Sequence, residues 1–139
     1  MRLDLVSLEW VKEPSMNYGR VYHSSCAFEN ALFVFCGGSM ENENEKSETI
    51  EKLSTKDEAL QQRAWQIITP KNNDFPRRDY TMSAPLNCHE ILIFGGSIMD
   101  QKNEEEYTVG ATNGILTYNI TTNRYKEIVK DSIWTDYKL

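Results

Sequence analysis

No stretch of this chain is apolar for the roughly 18 residues that a membrane-crossing helix needs. Its start, MRLDLVSLEW, alternates apolar and charged residues and lacks the apolar core of a signal peptide. Cysteine is scarce, and its number, three, is odd, which argues against a disulfide framework. Cys26, Cys36 and Cys88 lie in or beside β-like runs, where a reduced cysteine packs as a small hydrophobe. With His23 and His89 they are the only soft metal ligands, and no Cys-x-x-Cys or His-x-x-x-His pair occurs, so neither metal nor cofactor is expected. Positive charge is also short, 15 Lys and Arg against 21 Asp and Glu. A chain with that balance is not expected to bind nucleic acid. The expectation is a cytoplasmic protein with no membrane partner.

What is present is a globular composition, 40% hydrophobic in 139 residues, enough for one domain with a core. The negative charge is localised. Residues 39–49, SMENENEKSET, carry four Glu and one Lys. Residues 97–113, SIMDQKNEEEYTVGATN, carry Asp100, Glu104, Glu105, Glu106 and a single Lys. These two segments hold the whole imbalance of −6, and each follows a glycine pair, Gly37-Gly38 or Gly95-Gly96. A glycine pair after an apolar strand could cradle phosphate. Such a loop needs further glycines or a following Lys-Ser/Thr at a helix start. Both are missing, and acidic residues come next. The glycines therefore mark strand ends where backbone passes close or φ is positive.

The phrase LFVFCGGS at 32–39 returns as ILIFGGS at 91–97. Aligned on the glycines, an offset of 58, Arg20 falls on Arg78, Tyr22 on Tyr80, Ser25 on Ser83 and Ser39 on Ser97. A further β-like run follows each pair, TIEKLS at 49–54 and GILTYNI at 114–120, and an aromatic closes each unit, Trp65 or Tyr125. The amino terminus repeats the end of a unit, with Asp4 six residues before Trp10 as Asn119 is six before Tyr125. In the middle copy the Ser54–Trp65 interval is five residues longer, within the helix-favouring KDEALQQRA. Each unit predicts four strands: about 21–28 or 79–86, 31–36 or 90–94, 49–54 or 114–120, and 64–69 or 124–129. Glu29-Asn30 and Asn87-Cys88 are read as tight turns between the first two strands.

Four short strands, a double glycine ending the second, an aromatic on the fourth and a period of 50–60 residues together resemble the kelch repeat over nearly all of residues 1–129. RVYHSS at 20–25 matches the variety with Arg-x-x-His-Ser, whereas the second copy departs to RDYTMS. The resemblance implies an all-β fold, a partial kelch-type β-propeller of four-stranded antiparallel blades in an incomplete ring. Residues 1–13 would be the last strands of a blade, 14–69 and 70–129 two blades, and 130–139 a tail. About two and a half blades fall short of the typical four to eight. The chain is thus expected to be a piece of a larger propeller, completed by missing blades or self-association, and marginal or aggregation-prone alone.

The resemblance also directs the functional expectation toward a non-catalytic adaptor or scaffold. It would hold a partner protein, such as a basic segment, by loops on one propeller face. Arg20, Tyr22, Ser39, Arg78, Tyr80 and Ser97 would line that face, and Arg and Tyr are enriched at hot spots. The acidic segments, with Glu104, Glu105 and Glu106, would steer a basic partner. Gly37, Gly38, Gly95, Gly96, Trp10, Trp65 and Tyr125 would be structural, the aromatics packing the blades. The alternative is a fragment of a propeller enzyme whose ligand-bearing blades are absent from this chain.

Overall fold

A computed structural model describes residues 1–38, 49–55, 63–72, 78–103, 106–130 and 133–134, with backbone alone for 99–103, 106–109 and 133–134. Among the described residues there is no helix, and the strands form antiparallel sheets, three of them four-stranded. The first repeat unit is the sheet β3 (Ser24–Phe28), β4 (Ala31–Phe35), β5 (Ile50–Ser54) and β6 (Gln66–Ile68), in that order. The second is β8 (Met82–Pro85), β9 (Glu90–Phe94), β12 (Ile115–Asn119) and β13 (Arg124–Val129). Each lies within or close to the segment its hydrophobic pattern predicts. A two-stranded ribbon, β1 (Arg2–Leu3) with β2 (Trp10–Val11), precedes them.

Alternation explains how the two units meet. In β3, Ser24, Cys26 and Phe28 point inward while Ser25 and Ala27 are exposed. The same face of the first sheet carries Phe33, Phe35 and Ile50, and it packs on Ile91, Ile93, Leu116 and Tyr118 of the second. Phe35 meets Tyr118 edge-on at 5.8 Å between centroids, an arrangement aromatic pairs favour. The other face of the first sheet is also covered, burying Val34, Glu51 and Leu53, which is why β4 reads as continuously apolar.

The third four-stranded sheet was not anticipated. The predicted strands leave residues 97–113 as a connection between 90–94 and 114–120. Instead β10 (Ser97–Asn103) and β11 (Glu106–Thr112) form a hairpin flanked by β7 (Arg78–Asp79) and β14 (Ile133–Trp134). Ile98 and Thr112 are buried at the base of the hairpin. The hairpin also places part of the tail, since Ile133 and Trp134 pair with Thr112 and Ala111.

The register shows that the glycine pairs are not equivalent one for one. The first turn is Glu29-Asn30, between Phe28 and Ala31. The second is one residue longer, spanning 87–89 with Leu86 N–H donating to Glu90 O at 2.9 Å. The second strands are therefore offset by 59, not 58. Phe35 pairs with Ser24 as Phe94 pairs with Met82. Gly96, not Gly95, then takes the place of Gly37. A Cβ on Gly37 would lie 2.6 Å from Val21 O and 2.9 Å from His23 Cα, and one on Gly96 would lie 2.4 Å from Asp79 O and 2.9 Å from Thr81 Cγ2. The left-handed residue before each is Cys36 (φ 58°) in one unit and Gly95 (φ 66°) in the other.

The ribbon at the amino terminus repeats the outer turn of the second unit in detail. Asp4 Oδ1 accepts from Val6 and Ser7 N–H as Asn119 Oδ1 accepts from Thr121 and Thr122 N–H. Leu8 and Asn123 both have positive φ, 59° and 55°. Trp10, expected to pack like Trp65 and Tyr125, is instead 66% exposed. Among the described residues β2 pairs only with β1.

Candidate functional site

One end of the two repeat sheets, where β4 and β9 finish in glycine, gathers most of the residues expected to bind a partner. The strand ends are tied there by backbone bonds. Val21 and Gly38 exchange N–H···O bonds at 2.9 Å, Gly37 N–H donates to Arg78 O at 3.1 Å, and Tyr80 N–H donates to Tyr22 O at 2.9 Å. Tyr22 and Tyr80 thus hold matching places in adjacent units, both with left-handed backbone, φ 59° and 57°. A bulky L-residue seldom adopts that region. Their rings stack with centroids 4.1 Å apart and an interplanar angle of 26°, and they remain 54% and 60% exposed. A hydrogen bond with Tyr22, then slight desolvation, pushes the Tyr80 phenol above its ordinary pKa.

The arginines do not join that surface. The Arg20 side chain is only 1% exposed. Its Nε meets Glu51 at 3.3 Å, and its other nitrogens donate to Cys36 O at 3.1 Å and Thr49 Oγ1 at 2.8 Å. Glu51 is itself fully buried and also accepts from Asn17 and Tyr18 N–H. Arg78, 2% exposed, donates to Gly114 O at 3.2 Å, the position equivalent to Thr49. Both guanidinium groups therefore pin the start of the third strand in their own unit. The expectation that Arg20 and Arg78 line a binding face is corrected on this ground: both side chains are buried and direct donors to oxygens of their own unit, out of reach of a partner.

Ser97 is half-buried at the base of β10, paired with Asp79, beside Tyr80. Ser39, Glu104 and Glu105 lie outside the described residues, and Glu106 is placed by its backbone in β11. Cys36 lies under this end, its thiol pushed up by burial against opposing effects of a Thr81 hydrogen bond and the two arginines. Among the described residues no three His, Cys, Asp or Glu side chains gather as a metal site would require.

Sequence alignment missed a second repeated device. Asn17 Nδ2 donates to Trp65 O at 2.9 Å, and Asn72 Nδ2 donates to Tyr125 O at 2.9 Å. Asn72 Oδ1 also accepts from Tyr125 N–H. Each asparagine sits in the segment entering a unit and fastens that unit's closing aromatic strand. Trp65 adds an indole N–H···O bond to Pro14 at 3.1 Å. The two asparagines lie at different distances from Arg20 and Arg78, so no fixed offset reveals them.

No protein-family model and no curated protein matches the chain. Similarity appears among solved structures. That of YjhT resembles the chain with a TM-score of 0.63 at 18% identity, over 86% of this chain and 30% of that one. A likeness at that identity speaks for the fold alone. No helix among the described residues is long and apolar enough to cross a membrane.

Proposed function

We propose that the chain is part of a kelch-type β-propeller and works as a non-catalytic module that holds a partner protein at its glycine end. On this reading 14–69 and 70–129 are consecutive blades and 1–13 contributes the outer strands of another. The register equivalence of the two sheets and the repeated Asp4/Asn119 turn support the blade assignment. The observation that carries the functional reading is the Tyr22–Tyr80 pair, two large side chains left exposed side by side at one end of the sheets. Exposed aromatics of this kind mark contact surfaces. The binding set is then Tyr22, Tyr80, Ser97 and the acidic hairpin, while Arg20 and Arg78 hold the scaffold beneath.

Photo-crosslinking in the cells that make the protein tests this. Benzoylphenylalanine placed at 22 or 97 should yield covalent protein adducts, and at 30 or 87, on the turns at the opposite end, should not. Adducts distributed equally between the two ends, or none at 22 and 97, would count against the module.

A further inference from the structure

Tyr22 and Tyr80 share features that packing does not explain. Both adopt left-handed backbone, both are more than half exposed, and their rings lie face to face although 58 residues separate them. Backbone bonds on either side, Gly37 to Arg78 and Tyr80 to Tyr22, hold the two segments in step. The backbone thus sets the two residues side by side, with both rings more than half exposed.

The electrostatic surroundings select what such a surface binds. The nearby cations Arg20 and Arg78 have their side chains inside the protein. Asp79 adjoins Tyr80 in sequence and pairs through its backbone with Ser97, the first residue of β10. The sequence that follows Ser97 holds Asp100, Glu104, Glu105 and Glu106 against one Lys102. A ring face is negative at its centre and attracts cations, most strongly where other negative charge adds to the field.

We infer that the Tyr22–Tyr80 stack is a cation-recognition platform that takes the guanidinium or ammonium head of a basic peptide segment on its ring face. This rests on the reading of the glycine end as the partner-binding end and adds the chemistry of the bound group.

The test uses the full chain with ring-labelled tyrosine, followed by NMR. An arginine-containing glycine pentapeptide amide is titrated against its glutamine counterpart. The arginine peptide should move the Tyr22 and Tyr80 ring signals and the glutamine peptide should not. Tyr80→Leu should weaken arginine-peptide binding by about two- to five-fold, the scale of an exposed cation–π contact, and Tyr80→Phe should retain it. Tetramethylammonium chloride, a cation without hydrogen-bond donors, should move the same signals in the unaltered protein where sodium chloride does not. That arm stands even if a leucine variant fails to fold. Equal response to the glutamine peptide, preference for an acidic peptide, or no response to tetramethylammonium would overturn the platform. If those failures occur while crosslinks persist at 22 and 97, the interaction module stands and the cation chemistry falls. Loss of the crosslinks together with the peptide response would remove both.

Discussion

Replacing Gly95 and Gly96 separately by alanine should have very unequal effects, although the two residues look interchangeable in the sequence. At Gly95 a Cβ would approach nothing closer than Thr112 O at 3.9 Å, and φ is 66°, inside the left-handed well. The cost is then mainly that well's, about 1–2 kcal/mol for a residue with a Cβ. Cys36 already occupies the matching position in the first unit with φ 58°. At Gly96 the Cβ would fall 2.4 Å from Asp79 O and 2.9 Å from Thr81 Cγ2, with φ 95°. Relief requires pushing apart the segment that carries Tyr80 and the strand end it leans on. Overpacking of about 1–3 kcal/mol adds to backbone strain of about 1–3 kcal/mol, so a loss near 3–5 kcal/mol is expected. Domains commonly hold only about 5–15 kcal/mol, so Gly96→Ala removes much of the stability. Urea unfolding followed by tryptophan fluorescence reads this directly. At a common m, near 1–3 kcal/mol/M, the midpoint should drop about two- to three-fold further for Gly96→Ala than for Gly95→Ala. Equal drops, or a larger one for Gly95→Ala, would refute the one-residue slip between the units.

Three further outcomes follow from the contacts. Glu51→Ala leaves the Arg20 guanidinium buried without its carboxylate and should cost about 3–5 kcal/mol, while a cycle with Arg20→Met should show coupling above about 1 kcal/mol; additive losses would contradict the pair. Burial holds the Tyr118 phenol at about 12, above its ordinary value. The folded state prefers the neutral phenol, so this contribution is whole below about pH 10 and is lost as pH rises toward 12. Stability measured at rising alkaline pH should fall less steeply in Tyr118→Phe, and an unchanged slope would count against the burial. Asn72→Ala deletes bonds to both the N–H and C=O of Tyr125 and should cost about 1–2 kcal/mol, with faster amide exchange at Tyr125; unchanged exchange would contradict the stitch.

The repeat was legible because the core needs it. Apolar runs such as FVF and ILIF, a glycine where strand ends cross, and an aromatic on each outer strand fall where the sheets place them. What escaped the sequence is what depends on partners distant along the chain. The extra residue in the 87–89 turn and the exchange of Cys36 for Gly95 cancel in any alignment that matches Gly-Gly with Gly-Gly. Arg20 looks like a surface charge until Glu51, thirty-one residues on, is seen to be buried against it. The strands after Ser97 pair chiefly with each other, and their edge partners β7 and β14 are both short and separated from them in sequence. Tyr22 and Tyr80 were named from the repeat, but their stacking follows only from the left-handed backbone at both.

The most direct test of two equivalent units packed side by side is a proton NOE spectrum of the aromatic rings. Rings 4.1 Å apart at Tyr22 and Tyr80, and 5.8 Å apart at Phe35 and Tyr118, must give strong cross-peaks between residues distant in sequence. Both sets of cross-peaks present would support the packing of the units and the exposed stack together. Absence of the Phe35–Tyr118 peaks in the folded chain would contradict the account at its base.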